Sequence, residues 1–137
     1  MKTLVLDTWA VIAWLKRQKP GCDRTRELLK AAEHGDCRLL INIVNMGEVF
    51  YVCTKARNAA YGRRVLQALQ PRLTTVSAGD DLVMLAASLK AKHAVSYADA
   101  FAAATAILHD APLVTGDPEM RTMAAVEKSL QLEWIGP

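Results

Sequence analysis

The sequence predicts an α/β domain with three layers, in which a mostly parallel central sheet is flanked by helices. Short apolar segments alternate along the chain with longer segments whose apolar residues recur at helical spacing. Strands that alternate with helices are typical of βαβ units, which form parallel sheets. With 137 residues, of which 52% are hydrophobic, the chain is long enough to build a core. We therefore expect a single domain over residues 1–137.

The first part of the chain predicts two strands and four helices. The apolar run before Asp7 indicates a strand, and Pro20-Gly21 ends the helix that follows it. The second helix is expected to finish near Gly35, and Pro71 stops the fourth. The predicted elements are the strand Thr3–Leu6, the helices Thr8–Lys16 and Cys22–Glu33, the strand Arg38–Ile41, and the helices Met46–Asn58 and Ala60–Leu69.

The second part predicts three strands and three helices. Asp80 or Asp81 is expected to cap the first of these helices, and Pro118 suits the first turn of the last. The helix that begins at Ala98 is rich in alanine, which favours close packing and a central position. The predicted elements are the strand Leu73–Val76, the helix Asp80–Lys92, a connector over His93–Ser96, the helix Ala98–Leu108, the strand Leu113–Thr115, the helix Pro118–Lys128 and the strand Leu132–Ile135.

Composition narrows the class of protein. No apolar run approaches the ~18 residues of a membrane span, and the apolar start of the chain is too short for a signal peptide. We therefore expect a cytoplasmic protein without a membrane partner. The cysteines, Cys22, Cys37 and Cys53, are odd in number and widely spaced, which predicts free thiols. The net charge of +3 permits a polyanionic partner without requiring one.

Four carboxylates stand where a predicted strand gives way to a helix. They are Asp7, Glu48, Asp99 and Asp117. In a parallel sheet all such junctions lie at one edge, where ligands bind, so acids that are far apart in sequence can share one pocket. A cluster of like charges is costly unless a positive charge sits among them. Oxygen ligands suit hard divalent cations, so the pattern favours a site for Mg²⁺ or Mn²⁺.

Each of these acids also has a structural explanation as a helix cap. Asp7 is placed to cap the first helix, Asn45 to Glu48 fits a capping box, and Ser96 to Asp99 repeats that spacing. Asp117-Pro118-Glu119 has the cap, the proline and the first-turn acid of an ordinary helix start. Capping and metal binding are compatible, because a carboxylate has two oxygens.

Four short motifs, taken in order, resemble those of a PIN domain, and in particular those of the short bacterial VapC-type toxins. The resemblance covers nearly the whole chain. The motifs are Leu4-Val5-Leu6-Asp7-Thr8, Asn45-Met46-Gly47-Glu48-Val49, Ser96-Tyr97-Ala98-Asp99-Ala100 and Thr115-Gly116-Asp117-Pro118-Glu119-Met120. Two positions depart from the family pattern, Asn45 for a usual Ser or Thr and Met120 for a usual aromatic residue; we interpret both as packing variation.

The resemblance implies a PIN-like nuclease, a metal-dependent endoribonuclease that uses one or two Mg²⁺ or Mn²⁺ ions. Asp7 and Asp99 are then the expected direct ligands, with Asp117 beside them, and Glu48 binds through water or orients the attacking water. The expected supporting residues are Thr8, Ser96, Thr115 and Arg121. The cations available for phosphate contacts are Lys16, Arg17, Lys19, Lys55, Arg57, Arg63, Arg64 and Arg121.

The resemblance also implies partners: an RNA substrate, a small VapB-like antitoxin and a second copy of the chain. Two readings within the same fold stay open, an RNA-processing nuclease that is not a toxin and a binding module without catalysis. A haloacid dehalogenase-type phosphatase needs a second Asp two residues after the first, where this chain has Trp9. A response-regulator receiver needs an Asp at the end of the third strand, which here ends at Val76-Ser77.

Overall fold

The computed structural model describes residues 1–137, which form five strands and seven helices. In chain order the elements are β1 (Lys2–Leu6), α1 (Thr8–Leu15), α2 (Gly21–Glu33), β2 (Cys37–Asn42), α3 (Ile43–Ala56), α4 (Ala59–Leu69), β3 (Thr74–Val76), α5 (Asp80–Lys92), α6 (Tyr97–Leu108), β4 (Leu113–Thr115), α7 (Pro118–Val126) and β5 (Leu132–Trp134). None of the seven helices combines the length and the apolar character that a membrane crossing requires.

The sheet has the strand order β3-β2-β1-β4-β5, and every neighbouring pair is parallel. The predicted α/β class is therefore confirmed, with a sheet that is wholly parallel. The chain builds outward from β1 through β2 to β3 and then crosses back to β4 and β5. The switch point lies between β1 and β4, where Val5 pairs with Leu113. The crevice at the carboxyl ends of these two strands is where open parallel sheets bind ligands.

Alternation along the strands divides the core into two layers. Leu4 and Leu6 point to the face covered by α1, α2, α3 and α4, whereas Val5 points to the face covered by α5, α6 and α7. In β2 the same alternation separates Leu39 from Leu40. All of these side chains are buried, as expected for a parallel sheet with helices on both faces.

The alanine-rich helix α6 lies at the centre of its layer, as predicted. Every residue from Ala100 to Ala106 is buried. Small side chains bring α6 close to the sheet and to α5, and this close approach places the first turn of α6 beside the carboxyl edge. Its cap, Ser96, accepts a hydrogen bond from the backbone N–H of Asp99 at 3.1 Å.

The start of α3 differs from the prediction. The helix begins at Ile43 and is capped by Asn42, whose side chain accepts a hydrogen bond from the N–H of Val44 at 2.9 Å. The predicted start at Met46, with Asn45 as its cap, is therefore wrong. Asn42 is buried, and its side-chain amide donates to the hydroxyl of Thr105 in α6 at 3.1 Å. This tertiary hydrogen bond favours the earlier cap, and it moves Glu48 into the second turn.

Other element ends shift by smaller amounts. Helix α7 stops at Val126, two residues before the predicted end at Lys128, and α2 begins at Gly21. The three cysteines are free and buried, so the expectation of free thiols is confirmed.

We predict that Asn42→Ala lowers the free energy of unfolding by about 2 kcal/mol. About half of this loss comes from the helix cap and the rest from the buried hydrogen bond to Thr105. Asn58 provides a matched control, because it caps α4 through the N–H of Tyr61 at 2.8 Å but is exposed. Asn58→Ala should cost about 1 kcal/mol. Urea denaturation measures both variants, and equal losses would contradict a special role for Asn42.

Candidate metal centre

Asp7 lies at the switch point with both of its oxygens engaged. It ends β1 and caps α1, and only 1% of its surface is exposed. Its Oδ1 accepts a hydrogen bond from the N–H of Ala10 at 2.9 Å, and its Oδ2 accepts one from the hydroxyl of Thr115. The Thr115 hydroxyl oxygen in turn accepts from the N–H of Asp117 at 3.1 Å. This chain of hydrogen bonds joins the carboxyl ends of β1 and β4.

Three further carboxylates gather beside this junction. Asp99, Asp117 and Glu119 each place one oxygen so that the three oxygens lie within 4.8 Å of one another. Asp99 is in the first turn of α6, and Asp117 caps α7 by accepting from the N–H of Glu119 at 3.0 Å. The start of each helix carries partial positive charge, which offsets part of the repulsion among the acids.

Glu119 is the acid that sequence reasoning missed. It stands in the fourth motif, but its position in the first turn of α7 is explained by the helix dipole, and the sequence alone indicates an ordinary helix start there. A signal was available, however, because Pro118 fixes the start of the helix. Asp117 and Glu119 are thereby held at the same end of α7.

Glu48 lies outside the group of three. It is half-buried on α3 and accepts a hydrogen bond from the hydroxyl of Tyr51 at 3.4 Å. Glu48 is nevertheless close enough to Asp99 for its negative charge to contribute to a raised pKa there. The structure therefore places Glu48 at the margin of the acidic cluster.

Two carboxyl groups of the cluster have strongly raised pKa values. Burial raises the pKa of Asp7 to about 7, against the hydrogen bonds from Thr115 and Ala10, and the charges of Asp99 and Asp117 add to the increase. Burial also raises the pKa of Asp99 to about 6, with repulsion from Asp117 as the next cause. Both shifts have the sign expected for acids held together without a cation.

Thr8 and Asn45 link the helices that carry the acids. The amide of Asn45 donates to the carbonyl of Ala98 at 3.0 Å and to the hydroxyl of Thr8 at 3.4 Å, while its Oδ1 has no hydrogen-bond partner. Thr8 follows Asp7, and Ala98 precedes Asp99. Asn45 is thus a polar link between α1, α3 and α6 and more than the packing variation that we expected.

Arg121 and Trp9 have clear packing partners. The guanidinium of Arg121 lies 3.6 Å from the centre of the Trp134 ring, and it forms no salt bridge with the acids.

The indole of Trp9 packs on the turn between β4 and α7. A Cβ atom at Gly116 would lie 2.2 Å from that ring, so glycine is required for this approach. Trp9 thereby braces the segment that carries Asp117.

The donor set fits a hard divalent cation. Carboxylate oxygens are the ligands that Mg²⁺ and Mn²⁺ prefer, and an octahedral Mg²⁺ site holds its ligand oxygens about 3 to 4 Å apart. Oxygens already within 4.8 Å need only small side-chain movements to reach that spacing. A bound cation would also favour the ionised forms of Asp7 and Asp99, whose pKa values are raised mainly by burial and further by the neighbouring negative charges.

The chain belongs to the PIN domain family, because the model of that family matches residues 4–126. The predicted resemblance to PIN domains is therefore confirmed. No curated protein sequence matches the chain significantly.

Solved structures share the fold at low sequence identity. VapBC2 from Rickettsia felis, bound to a DNA fragment from its promoter, has a TM-score of 0.72 at 18% identity and covers 96% of this chain and 97% of that one. The DNA-bound VapBC from Salmonella typhimurium has a TM-score of 0.71 at 19% identity, with 97% and 98% covered. FitAcB from Neisseria gonorrhoeae has a TM-score of 0.63 at 17% identity, with 94% and 95% covered.

We predict that the metal-free protein loses stability as the pH rises from about 4 to about 7. Asp7 and Asp99 have pKa values of about 7 and about 6 when folded, against 3.8 for an ordinary Asp. The folded state therefore binds these protons more tightly than the unfolded state. Their contribution to the free energy of unfolding is full below pH 3.8 and is lost as the pH passes the folded values.

Asp7→Asn tests this pH dependence, because the amide does not ionise. Urea denaturation in EDTA should show a smaller loss of stability between pH 4 and 8 for this variant than for the wild type. Asp36→Asn, at an exposed position, should keep the wild-type dependence. The same pH dependence in all three proteins would contradict a raised pKa for Asp7 in the folded state.

Proposed function

We propose that this protein is a metal-dependent endoribonuclease of the VapC toxin type. One observation supports this most strongly: Asp99, Asp117 and Glu119 converge within 4.8 Å beside the buried Asp7, at the switch point of a PIN-domain sheet. Four acids of such different burial are poorly explained by capping alone. Glu119 is exposed and Asp99 is half-buried, so the cluster opens to solvent and is accessible to a polymer.

In the proposed site, Asp99, Asp117 and Glu119 hold the cation directly, and Asp7 ligates from the buried side. When bound, Mg²⁺ or Mn²⁺ would supply Lewis-acid stabilisation of the charge that develops on the scissile phosphate. Thr115 and Ser96 position Asp7 and Asp99 through their hydrogen bonds.

Glu48 is the proposed base for the attacking water. It is less buried than Asp7 and has a single hydrogen bond, from Tyr51, so one oxygen is free to accept a proton from water. We therefore separate the roles: Asp7, Asp99, Asp117 and Glu119 would hold the cation, and Glu48 would orient the attacking water. Asn45 acts only through position, because it joins the start of α1 to the start of α6.

A VapB-like antitoxin is the proposed protein partner. The structures that share this fold include a toxin–antitoxin complex from Klebsiella pneumoniae and a member of the VapBC family of toxin–antitoxin systems from Mycobacterium tuberculosis. A homodimer and a cytoplasmic setting also follow from the proposed toxin role. A nuclease of RNA maturation would have the same acids, so the biological role is decided by the partner.

We expect the purified chain to cut cellular RNA into discrete fragments with Mg²⁺ or Mn²⁺ and to be inactive in EDTA. Asp7→Asn and Asp99→Asn should each reduce the rate more than about 100-fold, because loss of a group that only orients a metal ligand already costs about 10- to 100-fold. Gel analysis of the RNA fragments provides the measurement.

The control is Asp36→Asn, which should cleave like the wild type. Mn²⁺ binding by electron paramagnetic resonance provides a readout that does not depend on activity. Tight Mn²⁺ binding in the wild type and weak binding in Asp99→Asn would place the ion at the cluster. A folded, Mn²⁺-loaded protein that cuts no RNA would favour the binding-module reading.

The toxin role makes a separate prediction in living cells. Expression of the wild type in a bacterial host should stop growth, whereas expression of Asp99→Asn should not. Co-expression of a short open reading frame adjacent to the gene should restore growth. Normal growth despite cleavage activity in vitro would identify an RNA-maturation nuclease instead.

A further inference from the structure

The charges of the chain are strongly segregated. Residues 49–79 contain no Asp or Glu but five cations. One of these, Arg72, lies 3.7 Å from Glu33 in a salt bridge. The other four are exposed and form no salt bridge. We call these four residues the basic lobe: Lys55, Arg57, Arg63 and Arg64.

The basic lobe has an ordered centre at Tyr61. The guanidinium carbons of Arg57 and Arg64 lie 4.4 Å and 5.9 Å from the centre of its ring. Cation–π contacts of this kind hold two like charges at one aromatic side chain. Without an acid nearby, the concentrated positive charge costs energy by self-repulsion, and a polyanion would relieve that cost.

Helix α3 connects the acidic cluster to the basic lobe. Its start lies beside α1 and α6 through Asn45, and its last turn carries Lys55. Glu48, Tyr51 and Lys55 are three and four residues apart, so they share one face of α3. The rise of an α-helix puts Lys55 about 10 Å from Glu48 along the axis. A short stretch of nucleic acid could therefore contact both ends.

Tyr51 lies between Glu48 and Lys55 on this face of α3. Its side chain is 51% exposed, which is unusual for a large aromatic group, and its hydroxyl donates to Glu48. Exposed aromatic rings near basic side chains are common in proteins that bind single-stranded nucleic acid, because every base offers a face for stacking.

Helix α1 adds a further cation at the same end. The first turns of α1 and α3 meet at Thr8 and Asn45, and near the other ends of the two helices Lys16 and Arg57 line one groove whose remaining residues are mostly hydrophobic. The two helices therefore run in the same direction, with Asp7 capping the start of α1, Glu48 in the second turn of α3, and Lys16 and Arg57 at the opposite ends. This arrangement favours a ligand that meets a metal at one end and carries phosphates toward the other.

We propose that a single-stranded RNA crosses the exposed face of α3, with a base stacked on Tyr51 and phosphates held by Lys55, Arg57 and Arg64. This inference rests on the proposed nuclease function and names the surface by which the substrate is held. An acidic protein would also fit the charges, but it would not explain the exposed ring beside Glu48.

The test measures RNA binding without cleavage. Fluorescence anisotropy with a short labelled single-stranded RNA is recorded over a range of salt, with every protein carrying Asp99→Asn. Replacing Lys55, Arg57 and Arg64 with Gln should reduce the slope of log affinity against log salt by about 2, since each phosphate contact contributes about 0.7. The matched control replaces Lys30, Arg38 and Lys92, which are exposed on other elements, and should change the slope little.

Tyr51 is tested by two substitutions in the same assay. Tyr51→Ala should weaken binding about 10-fold, because stacking of one base contributes about 1–3 kcal/mol. Tyr51→Phe keeps the ring and should retain the affinity, although it loses the hydrogen bond to Glu48. Equal losses in the two variants would overturn a stacking role.

The outcomes separate this inference from the proposed function. Hydrolysis of a small phosphodiester, bis(p-nitrophenyl) phosphate, by the wild type with Mn²⁺ tests the acidic cluster alone, and failure there would contradict the proposed function. If the small phosphodiester is hydrolysed but the basic-lobe and control variants bind RNA with equal affinity, only the inferred RNA-binding surface on α3 is overturned. An acidic protein would then be the partner that the basic lobe fits.

Discussion

The hydrogen bond between Thr115 and Asp7 joins the two strands at which the chain reverses its course across the sheet. The backbone pairing of β1 with β4 sets their register as far as Leu6 and Val114, and the side chains just beyond these pairs need contacts of their own. The buried carboxylate supplies one, since it needs a donor and the hydroxyl of Thr115 provides it. The backbone N–H of Asp117 donates a hydrogen bond to the same Thr115 hydroxyl, which fixes the position of Asp117 as well. One buried hydroxyl therefore links the carboxylate of Asp7 to the backbone of Asp117.

The cluster also illustrates how helix starts offset negative charge. Asp7, Asp99 and Asp117 are all at the N-terminal ends of helices, whose unpaired N–H groups stabilise carboxylates. The pKa values of Asp7 and Asp99 are raised all the same, mainly because burial disfavours the ionised carboxylates. A protein that keeps such a cluster gives up stability at neutral pH, and functional sites are where that compromise is common.

The fold could be predicted because parallel strands are buried on both faces and leave plain apolar runs between helices. The sequence also placed acids at one edge of the sheet, since the position of a strand end is a local property. The start of α3 could not be predicted, because Asn42 and Asn45 are both good caps and only the contact of Asn42 with Thr105 decides between them. Glu119 was missed for a related reason: an adequate local explanation concealed a tertiary one. The roles of the acids remain predictions.

The packing of Trp9 has a consequence for how related sequences can diverge. Its ring occupies the space that a side chain at Gly116 would need, and a Cβ at Gly21 would lie 2.8 Å from the same indole. Gly116 is itself approached closely by Gly136, where a Cβ would lie 2.9 Å from the Gly116 backbone. A larger residue at any of these glycines is tolerable only if a neighbour shrinks or moves at the same time. Trp9, Gly21, Gly116 and Gly136 should therefore covary among descendants of this sequence, because a change at one of them is tolerated only together with a change at another.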